Sequence, residues 1–382
     1  DKKKRHSEAL NSALPRMTSL QQKTIPSFRR LQFFGVLLLL RRTQSWTPEQ
    51  ICIKRCGLSP DKRFVSDSWL KGVVWSADIK NVIMEVQSAY QQISIVDTVS
   101  LGRALILDGA LQCAEKDEAG YHEMMTHVPM LRHKAGKISD ILIIGGGDGG
   151  IAREILKYKY FERLDMVEID QVVVDTCQKF LPRVFPASIA QDDRFHLFYE
   201  DAATFVTSAE SQSYDLIIID ASDPIGPGAS LYTPTFYAEI KRLLRREGAV
   251  VAQCGSFFYL PCVFRTVYHG LSAHFPVVMP YSCFTAVYPG GSWNLAIATL
   301  RPSDRPEKPH SRRIRGFLAD QQEQLSFYDS AVHRAAFDSI PPLARNELAK
   351  GPPSIQELQA EFVDIYGEAW WEDECSGRNN SE

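Results

Sequence analysis

Residues 141–150 read Ile-Leu-Ile-Ile-Gly-Gly-Gly-Asp-Gly-Gly. Four apolar residues running into a glycine tract mark a buried strand that stops at a tight loop. Gly145, Gly147 and Gly150 fit the Gly-x-Gly-x-x-Gly spacing, in which missing side chains let the backbone turn sharply and approach a ligand closely. Taken alone, that spacing also fits dinucleotide enzymes and plain turns. The sequel decides the fold. Helices are predicted over 151–158 and 172–180, and strands over 164–169, 195–198, 216–219 and 249–253. Such alternation predicts a Rossmann-like, doubly wound α/β domain with a largely parallel sheet.

Working outward, short β-rich runs at 82–86, 92–96 and 104–107, the last followed by Asp108-Gly109, predict a small antiparallel β domain over 61–115. A helix is expected over 118–131. Strands at 277–282 and 293–300 complete a catalytic domain assigned to 116–300. Residues 301–320, rich in Arg, Pro and Ser, read as a linker or exposed loop within a C-terminal segment, 301–345. Residues 346–382 read as a variable tail with one helix and an acidic end. Residues 1–60 read as a leader. Their most apolar run, 31–40, is far shorter than the roughly 20 residues that span a bilayer, and Arg29, Arg30, Arg41 and Arg42 flank it. Organelle targeting and a non-native extension both fit, and the leader takes no part in the functional argument.

A formal net charge of −3 over 382 residues gives no case for nucleic acid or for a general attraction to acidic membranes. The eight cysteines are scattered, several in apolar contexts, which points to reduced thiols and a cytoplasmic location rather than a disulfide framework. Cys52 and Cys56 lack a second pair at zinc-finger spacing, so no metal site is expected.

Ligands of an open parallel sheet bind beyond the carboxyl ends of its strands, and acids collect there. Asp148 lies inside the glycine loop. Glu168 ends the second strand, about 20 residues on, where an acid can hold ribose hydroxyls. Asp170 is the better helix cap. Asp201 follows the third strand and suits an adenine amino group. Asp220 and Asp223 follow the fourth, under a Pro/Gly loop. A pyrophosphate would be repelled by Asp148, since phosphate sites favour N–H groups and cations. The α-carboxylate of intact S-adenosylmethionine would be opposed too. These acids suit a cationic ligand without a carboxylate, joined by an amine-bearing second substrate. Asp220 is then placed to take a proton from the amine and Asp223 to orient it, with the loop excluding water. Simple capping of the next turn is the plainer alternative for both.

At this point the chain resembles the polyamine aminopropyltransferases, spermidine synthase above all. The shared motifs are Tyr90-Gln91, Leu107-Asp108-Gly109-Ala110-Leu111-Gln112, Asp117-Glu118 leading to Tyr121-His122-Glu123, the 145–150 loop, Glu168-Ile169-Asp170, Asp220-Ala221-Ser222-Asp223-Pro224, Tyr288-Pro289-Gly290-Gly291 and the segment from Tyr328 to Phe337. The resemblance implies transfer of an aminopropyl group from decarboxylated S-adenosylmethionine, the co-substrate, to putrescine. The products would be spermidine and 5′-methylthioadenosine. No prosthetic group is implied, and a homodimer is. Carried over by position, Asp220 is the general base. Gln91, His122, Gly145, Gly147, Asp148, Glu168 and Asp201 hold the donor. Tyr121, Asp223, Gln253, Tyr288 and Trp69 form the diamine pocket, with Trp75 an alternative to Trp69. Spermine or thermospermine synthesis, putrescine N-methylation and a non-catalytic regulatory paralogue are the rival readings.

Four segments depart from the family pattern: Glu200-Asp201-Ala202, Gln253-Cys254-Gly255-Ser256, Ala286-Val287-Tyr288-Pro289, and Ala221 within Asp220–Asp223. The second lacks an acid usual near the amine pocket, which bears on acceptor choice. Glu200 is expected to crowd or recharge the adenine side.

Overall fold

The computed structural model describes residues 57–59, 61, 63–70, 73–132, 138–224, 226–320 and 325–366. Most of the leader, the Cys52/Cys56 pair and the acidic end lie outside these residues.

Six antiparallel strands come first: β1 (Gly57–Leu58), β2 (Phe64–Leu70), β3 (Val73–Gln87), β4 (Gln92–Thr98), β5 (Arg103–Leu107) and β6 (Ala110–Ala114), paired in chain order. Asp108 and Gly109 join the last two with φ of 46° and 86°, the double positive φ of a two-residue hairpin turn. The 15-residue β3 pairs with β2 along its first half and β4 along its second; register shifts at 79–81 and 82–84 let it bend between them.

Helix α1 (Ala119–Met130), almost wholly buried, leads into the second sheet. There β7 (Asp140–Gly145), α2 (Gly150–Leu156), β8 (Arg163–Glu168), α3 (Gln171–Phe180), β9 (Phe195–Tyr199), α4 (Ala202–Ser208), β10 (Tyr214–Asp220), α5 (Pro234–Leu243) and β11 (Leu244–Gln253) alternate; the five strands and helices α2 and α3 were expected, α4 and α5 were not. Then α6 (Pro261–Ser272), β12 (Val277–Phe284) and β13 (Ser292–Thr299) follow. The strand order is β12-β13-β11-β10-β7-β8-β9, with the first five strands in sequence parallel and β13 antiparallel to both its neighbours, β11 and β12. Central strands are apolar on both faces: Ile141 to Ile144 and Leu216 to Ile219 are at most 3% exposed. Strand order reverses between β7 and β10, where Gly145 pairs with Asp220. This switch point is where an open α/β sheet leaves a crevice.

The C-terminal part departs from the sequence reading. Residues 301–320, expected to be linker or exposed loop, carry α7 (Ser311–Asp320). Its charged composition hides two anchors one turn apart, Ile314 and Phe317, both buried in the main core, and Phe317 stacks on Tyr158 at 4.3 Å. Helices α8 (Ser330–Asp338), α9 (Pro342–Ala349) and α10 (Ile355–Tyr366) follow. The expected division at 345/346 therefore runs through α9. Leu358, Phe362 and Ile365 of α10 join the main core, and the Glu361 carboxylate accepts the N–H groups of Cys262 (2.8 Å) and Val263 (3.2 Å) at the start of α6. An acid at a helix N-terminus satisfies donors that the helix cannot.

Candidate active site

Two sequence features build the crevice. The 145–150 loop is forced to be glycine where it turns: Gly145 has φ 78°, and a Cβ there would stand 2.0 Å from the Asp220 carbonyl oxygen. At Gly149, also φ 78°, a Cβ would strike the Phe185 ring at 2.3 Å. The chain thus folds flush against the end of β10, and the Gly146 N–H donates to the Asp220 carbonyl at 3.1 Å.

Above this floor lies a cavity of about 360 Å³. Gln91, Tyr121, His122, Gly145, Gly147, Asp148, Glu168, Asp201, Asp220, Asp223, Gln253 and Tyr288 all line it, as do Asp108, Asp117, Glu118, Cys113 and Trp293. Trp69 sits on β2, but its side chain lies outside the described residues. Trp75 packs in the first sheet's own core rather than on the cavity wall. Eight carboxylates line the wall, Asp108, Asp117, Glu118, Asp148, Glu168, Asp201, Asp220 and Asp223, and among the described residues no Lys or Arg does.

The acids are held differently. Asp148 accepts the Gly150 N–H at 2.8 Å and faces His122 Nε2 at 3.1 Å. His122 Nδ1 meets Glu118 at 2.6 Å, and Glu118 also accepts from Arg153 at 2.7 Å. Burial opposes charge on His122, but Asp148 and Glu118 outweigh it and keep the imidazole well above its usual range, protonated. Burial likewise pushes Asp148 up; His122 and the Gly150 N–H overcome it and hold the carboxyl below its usual range.

Among the described residues, no such cation contacts Asp220. Tyr121 donates its hydroxyl to Asp220 at 2.5 Å. Burial, then the charge of Asp148, push the Asp220 carboxyl up to about 6, with Tyr121 and His122 opposing. Burial also takes Asp223 to about 6, against a weak Gln253 hydrogen bond at 3.4 Å. Glu168 accepts the Asp170 N–H at 2.9 Å and is pushed to about 7, mainly by burial.

The remaining residues are placed by secondary-structure ends. Asp170 caps α3 through Val172 N–H and accepts from Gln91 at 3.0 Å, so it ties the β3–β4 turn to the catalytic sheet and leaves Glu168 to the cavity. Asp201 caps α4, accepting from the Thr204 N–H at 2.8 Å. Gln253 ends β11; its amide donates to the Ala221 carbonyl at 3.1 Å and its oxygen accepts the Gly255 N–H at 2.8 Å, bracing the Asp220–Asp223 loop. Ser256 is buried and accepts N–H groups from Phe258 and Tyr259, each at 3.3 Å, so the position that lacks the family's acid shapes a turn. Glu200, expected to crowd or recharge the adenine side, is exposed and outside the cavity lining. Tyr288 donates to the Gln112 carbonyl at 3.2 Å and packs 4.3 Å from Trp293. Trp293 was missed as a wall residue, although it follows Tyr288 by five positions and stands second in β13.

Known proteins resemble this chain in sequence and in fold. Residues 118–305 match the Spermine/spermidine synthase domain, and residues 65–115 the Spermidine synthase tetramerisation domain. The chain is 33% identical over 279 residues to a polyamine aminopropyltransferase of Methanocaldococcus jannaschii, covering 73% of this chain and 92% of that one. It is 39% identical over 274 residues to the polyamine aminopropyltransferase of Escherichia fergusonii, covering 72% and 93%. Among solved structures, a spermidine synthase in complex with the transition-state analogue AdoDATO superimposes with a TM-score of 0.69 at 30% identity, over 81% of this chain and 99% of that one. The spermidine synthase of Thermotoga maritima gives 0.68 at 30% identity, over 82% and 99%.

Proposed function

The chain belongs to the spermine/spermidine synthase family and is an aminopropyltransferase, and from that premise we propose that it carries an aminopropyl group from decarboxylated S-adenosylmethionine to putrescine, with Asp220 as general base. The observation that carries this reading is the cavity wall of eight carboxylates, with no Lys or Arg among the described residues that line it. Such a wall favours a sulfonium bearing a free ammonium, together with a diamine. It disfavours phosphate and any extra carboxylate.

In the proposed geometry Glu168 takes the ribose hydroxyls, Asp201 and Gln91 support the nucleoside, and Asp148, held in place by His122, receives the aminopropyl ammonium. The acceptor lies beside Asp223 and between Tyr121 and Tyr288, whose aromatic faces tolerate its charge and cover its methylenes. Trp69 stays a proposed wall residue. Asp220 removes a proton from the attacking ammonium. The freed lone pair forms the N–C bond to the methylene beside sulfur, and the C–S electrons return to sulfur as 5′-methylthioadenosine departs. The sulfonium is already a good leaving group, so alignment is the main task of the site.

The match of residues 65–115 to a tetramerisation domain supports self-assembly; the homodimer is the simplest form of this proposal. The unpaired thiols at Cys113, Cys177, Cys254, Cys262 and Cys283 support a cytoplasmic location. No helix among the described residues is long and apolar enough to cross a membrane.

A matrix assay tests the reading: decarboxylated and intact S-adenosylmethionine, each offered with putrescine and spermidine, with products identified by mass. Spermidine formed only from the decarboxylated donor and putrescine is the expected result. Spermine or thermospermine as the main product would move the acceptor assignment, and turnover only with the intact donor would overturn the charge argument.

A further inference from the structure

We propose that Cys113, His122 and Asp148 form a three-ligand site for a borderline-soft divalent cation, Zn²⁺ above all, that competes with the aminopropyl donor for one corner of the cavity. The three residues are remote in sequence and come from β6, α1 and the β7–α2 loop. Their Sγ, imidazole nitrogen and carboxylate oxygen all lie within 4.8 Å of one another. His122 Nε2 and Asp148 Oδ2 are already 3.1 Å apart. A tetrahedral zinc with bonds of about 2.0–2.3 Å spaces its ligand atoms roughly 3.3–3.8 Å apart, so a modest side-chain rotation at Cys113 closes the set.

The surroundings match what a metal-bound imidazole needs. His122 Nδ1 is backed by the Glu118 carboxylate at 2.6 Å, and Glu118 is itself fixed by Arg153 at 2.7 Å. A carboxylate on the far nitrogen orients the ring and leaves Nε2 for the ion. All three ligands line the cavity, so a fourth coordination position faces open space, as in sites that keep one place for water or substrate. Sulfur with imidazole selects zinc over magnesium or calcium, which prefer all-oxygen shells. On binding, the ion takes the place of the Nε2 proton and Cys113 coordinates as thiolate, both protons passing to solvent. The bound ion then occupies the contact that Asp148 offers to the donor's ammonium. No metal was expected from the sequence, because neither spacing nor motif joins residues 113, 122 and 148.

Cobalt titration of the chelator-treated full chain, without substrate, is the direct test. A thiolate-to-cobalt charge-transfer band that Zn²⁺ bleaches is the expected result. It should vanish in Cys113→Ser, which nearly preserves the side-chain volume. Zn²⁺ affinity should fall at least about tenfold in that variant and roughly 10- to 100-fold in Glu118→Gln. In Cys113→Ser, Zn²⁺ inhibition that is competitive with the donor should be lost, read as the ratio of each protein's rate with Zn²⁺ to its own rate without it. Absence of the band, or equal Zn²⁺ affinity in wild type and Cys113→Ser, overturns the site. Non-competitive inhibition overturns its placement at the donor corner. The spectroscopic arm needs no turnover, so its failure is distinct from failure of the proposed reaction.

Discussion

Asp148 follows β7 and Asp220 ends the neighbouring β10, at the same crevice, yet the fold treats them in opposite ways. Asp148 faces an imidazolium backed by Glu118 and Arg153, and is held below the usual carboxylate range. Asp220 receives a neutral phenol hydroxyl, and burial with the charge of Asp148 lifts it to about 6. One aspartate is therefore a fixed negative charge and the other is poised to exchange a proton. Environment, not residue type, divides a receptor from a base.

The largest expected effect breaks the comparison on the Asp220 side. Asp220→Asn removes the proton acceptor but keeps an oxygen for the Tyr121 hydroxyl. Turnover should fall by about 10²- to 10⁴-fold, with donor affinity changed far less. Steady-state kinetics with both substrates read this directly, and near-normal turnover would take Asp220 out of its role.

Asp148→Asn breaks the other side. Loss of a charged contact to the donor's ammonium should raise the donor KM by about 10- to 100-fold, more than it lowers turnover. Because the Asp148 charge raises Asp220, the acid limb of kcat/KM should move to lower pH in this variant. An unmoved limb would mean that the two carboxylates do not communicate.

The smallest effect sharpens the comparison through stability. The folded Asp220 carboxyl, at about 6, lies above its ordinary value of 3.8. Its favourable contribution is therefore complete below about pH 4 and lost as pH rises through 6. Relative to wild type, ligand-free Asp220→Asn should gain roughly 2–5 °C in Tm above pH 7, and the gain should disappear by pH 4. Melting curves across that range check it. Asp148→Asn, which removes a lowered carboxyl, should show the opposite sign.

The legible parts of the molecule were those whose signal is local. The run Leu216 to Ile219 with Asp220 and Asp223 behind it announces a strand and its acids in one stretch. Asp108-Gly109 announces its hairpin in two residues. Helix α7 was illegible because only Ile314 and Phe317 of its ten residues are core, in a segment otherwise dominated by Arg and small polar groups. Asp117 and Glu118 were visible as a motif, but nothing near them in sequence says that Glu118 meets Arg153 on another helix.

Sequence alone determined the alternation of strands and helices, the glycine turn and the set of acids at the strand ends. Each of these follows from side-chain period, backbone freedom and chain order, which act over a few residues. Only the tertiary structure decided which acid is paired, which is left to burial, and that Cys113 reaches His122 and Asp148. Charge state depends on solvent exclusion and on partners brought from distant segments, and those exist only once the chain has folded.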